Sequence, residues 1–215
     1  MRLNFIKKVY TILAVQLLIT AAFVSASCFH TGYIKFVKTN MWLFWVCFVV
    51  NIILLYVLIY VRSACRKVPL NFALLGLFTL TEAYMVSCIT SIYDPTTVFI
   101  AAILTASIVV ALTIYAFTTK TDFTVWGGLL FTALMALCIA SIFTIFFRNK
   151  IVQIVISAIS VVVFSIYLIY DTQLILGNGE LKLTVDDYIF AAMNLYLDII
   201  RIFLEILRIV GESRN

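Results

Sequence analysis

Charge is scarce in this chain. Only 12% of its 215 residues are charged and 65% are hydrophobic, against about 25% and about 45–50% in soluble domains. So few polar side chains cannot cover a water-facing sphere, which excludes a soluble globular fold. Proline occurs twice and glycine seven times, which excludes collagen-like and linker-rich disordered chains. His30 is the single histidine, and Cys28, Cys47, Cys65, Cys88 and Cys138 contain no CxxC pair. An odd, scattered set of cysteines implies no disulfide framework, and His30 cannot complete a metal site with them. Cys47, Cys88 and Cys138 fall inside apolar runs, where a thiol behaves as a small hydrophobe. Neither H-E-x-x-H nor GxSxG occurs, so neither an enzyme nor a cofactor is expected.

What the chain has is long apolar runs. A membrane helix needs about 20 residues, so seven would use on the order of 140 and leave only short loops. Seven runs are present, at 9–29, 42–61, 70–93, 97–118, 123–147, 151–176 and 188–210. The expectation is one all-α integral-membrane domain over 1–215, crossing the bilayer seven times. Charged residues punctuate the runs, and Pro69 and Pro95 stand at run starts, where a missing N–H costs least. No internal repeat is visible, so an inverted-repeat transporter is not supported. The first run has a rival reading: Arg2, Lys7 and Lys8, an apolar stretch, then Val24-Ser25-Ala26 resemble a cleavable signal peptide.

The net charge of +5 would suggest nucleic-acid binding in a soluble protein. Here the basic residues lie between spans, where they set orientation and meet anionic lipid heads, so lipids are the expected partner and nucleic acid is not. The amino-terminal side, with loops 2–3, 4–5 and 6–7, carries eight Lys/Arg, and the opposite side carries six. That bias places the amino terminus in the cytosol. The side of the carboxyl terminus stays open, because the seventh segment could span fully or re-enter.

An ionisable residue within a span costs at least about 2.5–3.5 kcal/mol at the helix centre and usually faces the bundle interior. The last span carries a row of them: Asn194, Asp198, Arg201, Glu205 and Arg208 step by 4, 3, 4 and 3. At about 100° per residue they fall within a sector of roughly 80°. That face needs protein or water, while Leu195, Ile199, Ile202 and Ile206 pack on the opposite one. The row reads either as an internal ladder of ion pairs or as part of an ion path. Asp171 is the second conspicuous acid. Its helix is expected to continue to Leu176 and stop at Gly177, leaving Asp171 about 8–9 Å inside that end. Thr184 to Asp187 reads as a cap with acidic residues opening the last helix. Spacing alone does not bring Asp171 and Asp198 together.

The stretch from Tyr188 to Ile200 resembles the last-helix signature of the transmembrane Bax inhibitor motif family, especially its lifeguard branch. Tyr170-Asp171-Thr172-Gln173-Leu174 is similar to the preceding motif. Phe5–Tyr10, Pro69–Asn71, Phe78–Ala83 and Thr121–Thr124 add further matches, collinear over nearly the whole chain. A match that begins in the first span argues against its cleavage. The resemblance implies six helices enclosing a central seventh, with Asp171 and Asp198 forming a carboxylate pair that closes a pore and takes Ca2+ transiently as permeant ion. It further implies a calcium leak of endoplasmic reticulum, Golgi or related endomembranes that suppresses apoptosis, with Bcl-2-type apoptosis regulators as partners.

The chemistry suits such a gate. Two carboxylates sharing a buried site do not both ionise cheaply and titrate as a unit. Sharing one proton, they hold together through an O–H···O⁻ bond; both ionised, they repel and offer the oxygen ligands that Ca2+ prefers. Two departures stand out: the family commonly has Asn where this chain has Arg201, and an uncharged residue in place of Glu205. Arg201 and Glu205 are therefore expected to compensate each other. The lifeguard branch also commonly carries a Pro-rich amino-terminal extension, and this sequence starts without one, which puts the partners of that segment in doubt. Arg62 reads as a latch on Asp171 or as a basic membrane-face residue beside Arg66 and Lys67. Glu82 reads as a third acid of the ion path or as a buried protonated acid. Alternatives from other classes are a proton-coupled cation carrier, a non-conducting anti-apoptotic interaction protein and, more distantly, a seven-span receptor.

Overall fold

The computed structural model describes residues 2–61, 66–146, 149–177 and 179–214, the backbone alone at 145 and 146. Among these residues all regular structure is helical: α1 (Arg2–Phe29), α2 (Thr31–Thr39), α3 (Met41–Tyr60), α4 (Leu70–Thr90), α5 (Pro95–Thr118), α6 (Gly127–Phe146), α7 (Lys150–Leu176) and α8 (Tyr188–Arg214). A 3₁₀ turn, Thr124–Trp126, precedes α6. The protein is an all-α polytopic membrane protein. Among the described residues six helical segments are long and apolar enough to cross a bilayer. The 27-residue α8 matches them in length, but Asp198, Arg201, Glu205 and Arg208 set its composition apart.

Each expected span falls on a helix. α1 begins at Arg2 rather than near residue 9, because Phe5 is buried along with Val9 and extends the packed face outward. The loop expected after the first span instead contains α2. His30 caps it, its Nδ1 accepting the Tyr33 N–H at 3.1 Å, and Val37 turns into the core. At nine residues and with Lys35 and Lys38 on its surface, α2 is too short and too charged to register as an apolar run.

The chain forms two compact units, Met1–Val98 with Thr184–Tyr196 and Phe99–Leu183 with Leu197–Asn215. In the first, α4 is the interior helix and packs on both α1 and α3. Val9, Leu58, Phe78, Ile189 and Met193 fill its apolar core. Lipid tails are as apolar as these side chains, so polar bonds between helices add specificity. Gln16 Nε2 donates to Thr79 Oγ1 at 3.0 Å, Asn51 Nδ2 to Thr81 Oγ1 at 3.1 Å, and Asn71 Nδ2 to the Tyr188 hydroxyl at 2.8 Å. Ser27 meets Thr90 at 2.7 Å.

The second unit packs α6 on α7, with Ala101, Ala116, Leu130, Leu168 and Ile202 buried. α7 starts at an Asn149 cap whose Oδ1 accepts the Ile151 N–H at 2.9 Å. It ends at Gly177, which takes φ 70° and donates its N–H to the Gln173 carbonyl at 2.9 Å. This is the stop read from the sequence, and a side chain there would meet the left-handed penalty.

Candidate functional site: a buried carboxyl pair

Asp171 lies five residues before Leu176, about 8 Å inside the end of α7 at 1.5 Å per residue. It is 7% exposed, and Asp198, ten residues into α8, is 6% exposed. Both belong to the second unit, and their carboxyl groups face each other within hydrogen-bonding range. The structure thus joins two acids that helix spacing alone left apart. The link after α7 folds back, the Leu183 N–H reaching the Leu174 carbonyl at 3.1 Å, before α8 begins.

Among the described residues Asp198 Oδ2 accepts no hydrogen bond. A buried carboxylate oxygen without a donor is costly, so this atom calls for a proton, a water or a cation. Tyr167, one turn before Asp171, lies within electrostatic reach of both carboxyls. The Tyr170 hydroxyl covers Gly127, where an added Cβ would stand 3.0 Å from its oxygen. The buried Thr172 hydroxyl also lacks a partner among the described residues. The arrangement can bind a proton between two acids, or a hard cation once that proton leaves.

Side chains not singled out from the sequence hold the end of α7. The Gln173 amide is buried and bonds twice to the α5–α6 loop: Phe123 N–H donates to Oε1 at 2.7 Å, and Nε2 donates to the Thr121 carbonyl at 2.9 Å. Asp122 Oδ1 accepts from the Thr124 N–H at 2.8 Å and hydroxyl at 2.6 Å, and Oδ2 from the Glu180 N–H at 2.9 Å. The Thr124 hydroxyl and these two N–H groups hold the half-buried Asp122 carboxyl below the ordinary carboxylate range. In sequence these residues show only as matches to the family motifs, because an amide near a helix end has no distinctive pattern of its own.

The other candidates differ in burial. Asn194 is half-buried and belongs to the first unit, while Arg201 is exposed in the second. Glu205 pairs with Arg208 at 3.6 Å, the last step of the ion-pair ladder read from the sequence, while Arg201 is exposed. Leu195, Ile199, Ile202 and Ile206 are buried, as the opposite apolar face requires. Glu82 is buried in the first unit, within electrostatic reach of the Tyr196 hydroxyl. Arg62 and Cys65 lie outside the described residues.

The Thr184–Asp187 turn also differs from the acidic cap expected. Asp187 accepts from the Arg66 guanidinium at 2.9 Å and from the Thr184 hydroxyl. Partial burial opposes its charge, but Thr184 and Arg66 outweigh burial and hold the carboxyl below its ordinary value. Lys8 sits over the Tyr188 ring at 3.3 Å. In the first unit, then, the amino-terminal turn and the α3–α4 loop meet the start of α8. In the second, the α5–α6 loop meets the α7–α8 link. Both contacts agree with the loop grouping used for orientation.

Comparison with known proteins places this geometry in a family. The chain matches the family described as "Inhibitor of apoptosis-promoting Bax1" over residues 2–215. It is 35% identical to Protein lifeguard 3 of Homo sapiens over 215 aligned positions, covering 98% of this chain and 69% of that protein. The mouse (Mus musculus) protein of the same name is likewise 35% identical, over 98% of this chain and 70% of its own length. The Golgi anti-apoptotic protein of Vaccinia virus (strain Lister) is 35% identical over all of this chain and 87% of its own. The chain belongs to the transmembrane Bax inhibitor motif family, alongside its lifeguard members.

Proposed function

We propose that the protein is a passive Ca2+ leak of an intracellular membrane, gated by the Asp171–Asp198 pair, which lowers stored Ca2+ and so suppresses apoptosis. The carrying observation is the pair itself, two carboxyl groups buried face to face with Asp198 Oδ2 open to a further ligand. With one proton between them the acids attract through a charge-assisted bond and the path is shut. When that proton leaves, two charges repel at close range and present oxygen ligands to a divalent cation. Flux therefore rises with pH. The anti-apoptotic names in the family support the cellular role, and the viral relative's name supports the Golgi as one site of action.

The test is Ca2+ efflux from proteoliposomes of purified protein across pH 5 to 8, with Asp171→Asn and Asp198→Asn beside the wild type. An amide at either position keeps a hydrogen bond but removes the shared proton, so both variants are expected to lose the pH dependence. An unchanged pH profile in both would refute the gate. Early saturation of flux and exchange against protons would instead indicate a carrier using the same two acids.

A further inference from the structure

Asp171 and Gln173 are two residues apart on α7, so their side chains leave the helix about 200° apart. One flank of the helix presents Asp171 to Asp198, and the other is tied by Gln173 to the α5–α6 loop. Both functional groups of the Gln173 amide are used, on Phe123 N–H at 2.7 Å and the Thr121 carbonyl at 2.9 Å. Turning α7 to carry Asp171 away from Asp198 breaks both bonds of the buried Gln173 side chain in a partly buried setting, where an unpaired amide is costly.

The loop that receives Gln173 is itself fixed. Asp122 joins it to the α7–α8 link through the Glu180 N–H at 2.9 Å, and Thr124 Oγ1 accepts the Leu181 N–H at 3.2 Å. Gly179 makes this approach possible, since a Cβ there would stand 2.5 Å from Asp122 Oδ1 and 2.6 Å from Thr124 Oγ1. The nearby charged side chains of Lys120, Glu180 and Lys182 are exposed and leave the bonds to Gln173, Asp122 and Thr124. The contact lies wholly within the second unit.

We propose that Gln173, held by Asp122, Thr124 and the close approach of Gly179, is a positioning residue. It fixes the rotation of α7 that keeps Asp171 against Asp198, so this clasp sets how readily the gate opens. The proposal rests on the leak reading above. The ordinary alternative is that the clasp only stabilises the fold, and the two differ in what a broken clasp does to closed-state flux.

The experiment measures Ca2+ efflux from proteoliposomes at pH 6, on the closed side of the wild-type profile. Gln173→Ala and Gly179→Ala break the clasp from opposite sides. Asp122→Asn removes only the Glu180 contact, and Leu130→Ala removes buried apolar volume from α6 at a residue that makes none of the clasp's hydrogen bonds. Gln173→Ala and Gly179→Ala are each expected to raise efflux about tenfold, the equivalent of one to two lost hydrogen bonds. The double variant is expected to add nothing further, Asp122→Asn to give a smaller rise, and Leu130→Ala to stay at the wild-type level despite its lower melting temperature. Should one variant fail to fold, the other and Asp122→Asn carry the test. Efflux equal to that of Leu130→Ala in all clasp variants overturns the clasp alone, and a wild type that passes no Ca2+ from pH 5 to 8 overturns both the leak and the clasp.

Discussion

Tyr196 shows how this protein handles polarity in an apolar solvent. Its side chain is fully buried, with the hydroxyl 2.7 Å from Thr20 Oγ1. Thr20 has a single proton and donates it to the Gln16 carbonyl at 3.0 Å, so Tyr196 is the donor to Thr20. Such bonds between membrane helices average about 0.6 kcal/mol and reach about 1.7 kcal/mol. Tyr196→Phe and Thr20→Val should each destabilise by about that amount, and a double-mutant cycle in detergent unfolding should return a coupling within that range. Zero coupling would mean the bond adds nothing beyond the alternatives open to the unfolded chain. Residues of this kind were only partly legible. Asp171 and Asp198 stand out because charge is rare in the spans. Tyr196, Thr20 and Gln173 are common in such helices, and only their partners, far away in sequence, give them meaning.

Among elements, the helices were legible and their ends less so. Apolar runs of membrane length identify spans because a helix alone satisfies the backbone of a single segment in lipid, and Gly177 marked one end through its backbone freedom. α2 escaped notice because nine residues with two lysines carry too little apolar signal. The contact between the α5–α6 loop and the α7–α8 link was illegible for another reason: it pairs the Asp122 and Thr124 side chains with backbone N–H groups that every sequence has. Its pH behaviour has a definite sign. Asp122 has a lowered value in the folded state, so its contribution is fully present above the ordinary carboxylate value. It is lost as pH falls through the lowered one. With Trp42 and Trp45 replaced by Phe, Trp126 becomes the single reporter, two residues beyond Thr124. Its fluorescence should change only below about pH 3.9, and Asp122→Asn should remove that change. A transition above that pH would contradict the described hydrogen bonds.

At the scale of the molecule, the anti-apoptotic family and the carboxyl pair make a joint prediction. If Ca2+ leak is the means of protection, the Asp171→Asn/Asp198→Asn double variant should reach the membrane at normal abundance yet lose protection in a cell-death assay. Retained protection would favour a non-conducting interaction protein. Seven apolar runs and the family motifs conveyed the class of the whole molecule. They did not reveal that α8 is divided between two compact units, since a helix has no sequence mark where its neighbours change.

That division bears on how the protein is made. α8 is translated after the other seven described helices, and it supplies Tyr188, Ile189, Met193 and Tyr196 to one unit and Asp198, Ile202 and Leu207 to the other. Neither unit is complete until α8 emerges from the ribosome, and until then Asp171 has no second acid beside it. During synthesis the nascent chain therefore has no formed carboxyl pair, and a ribosome stalled before α8 leaves an intermediate missing part of both cores. Such a product exposes unfilled polar and apolar faces together, the combination that membrane quality control removes.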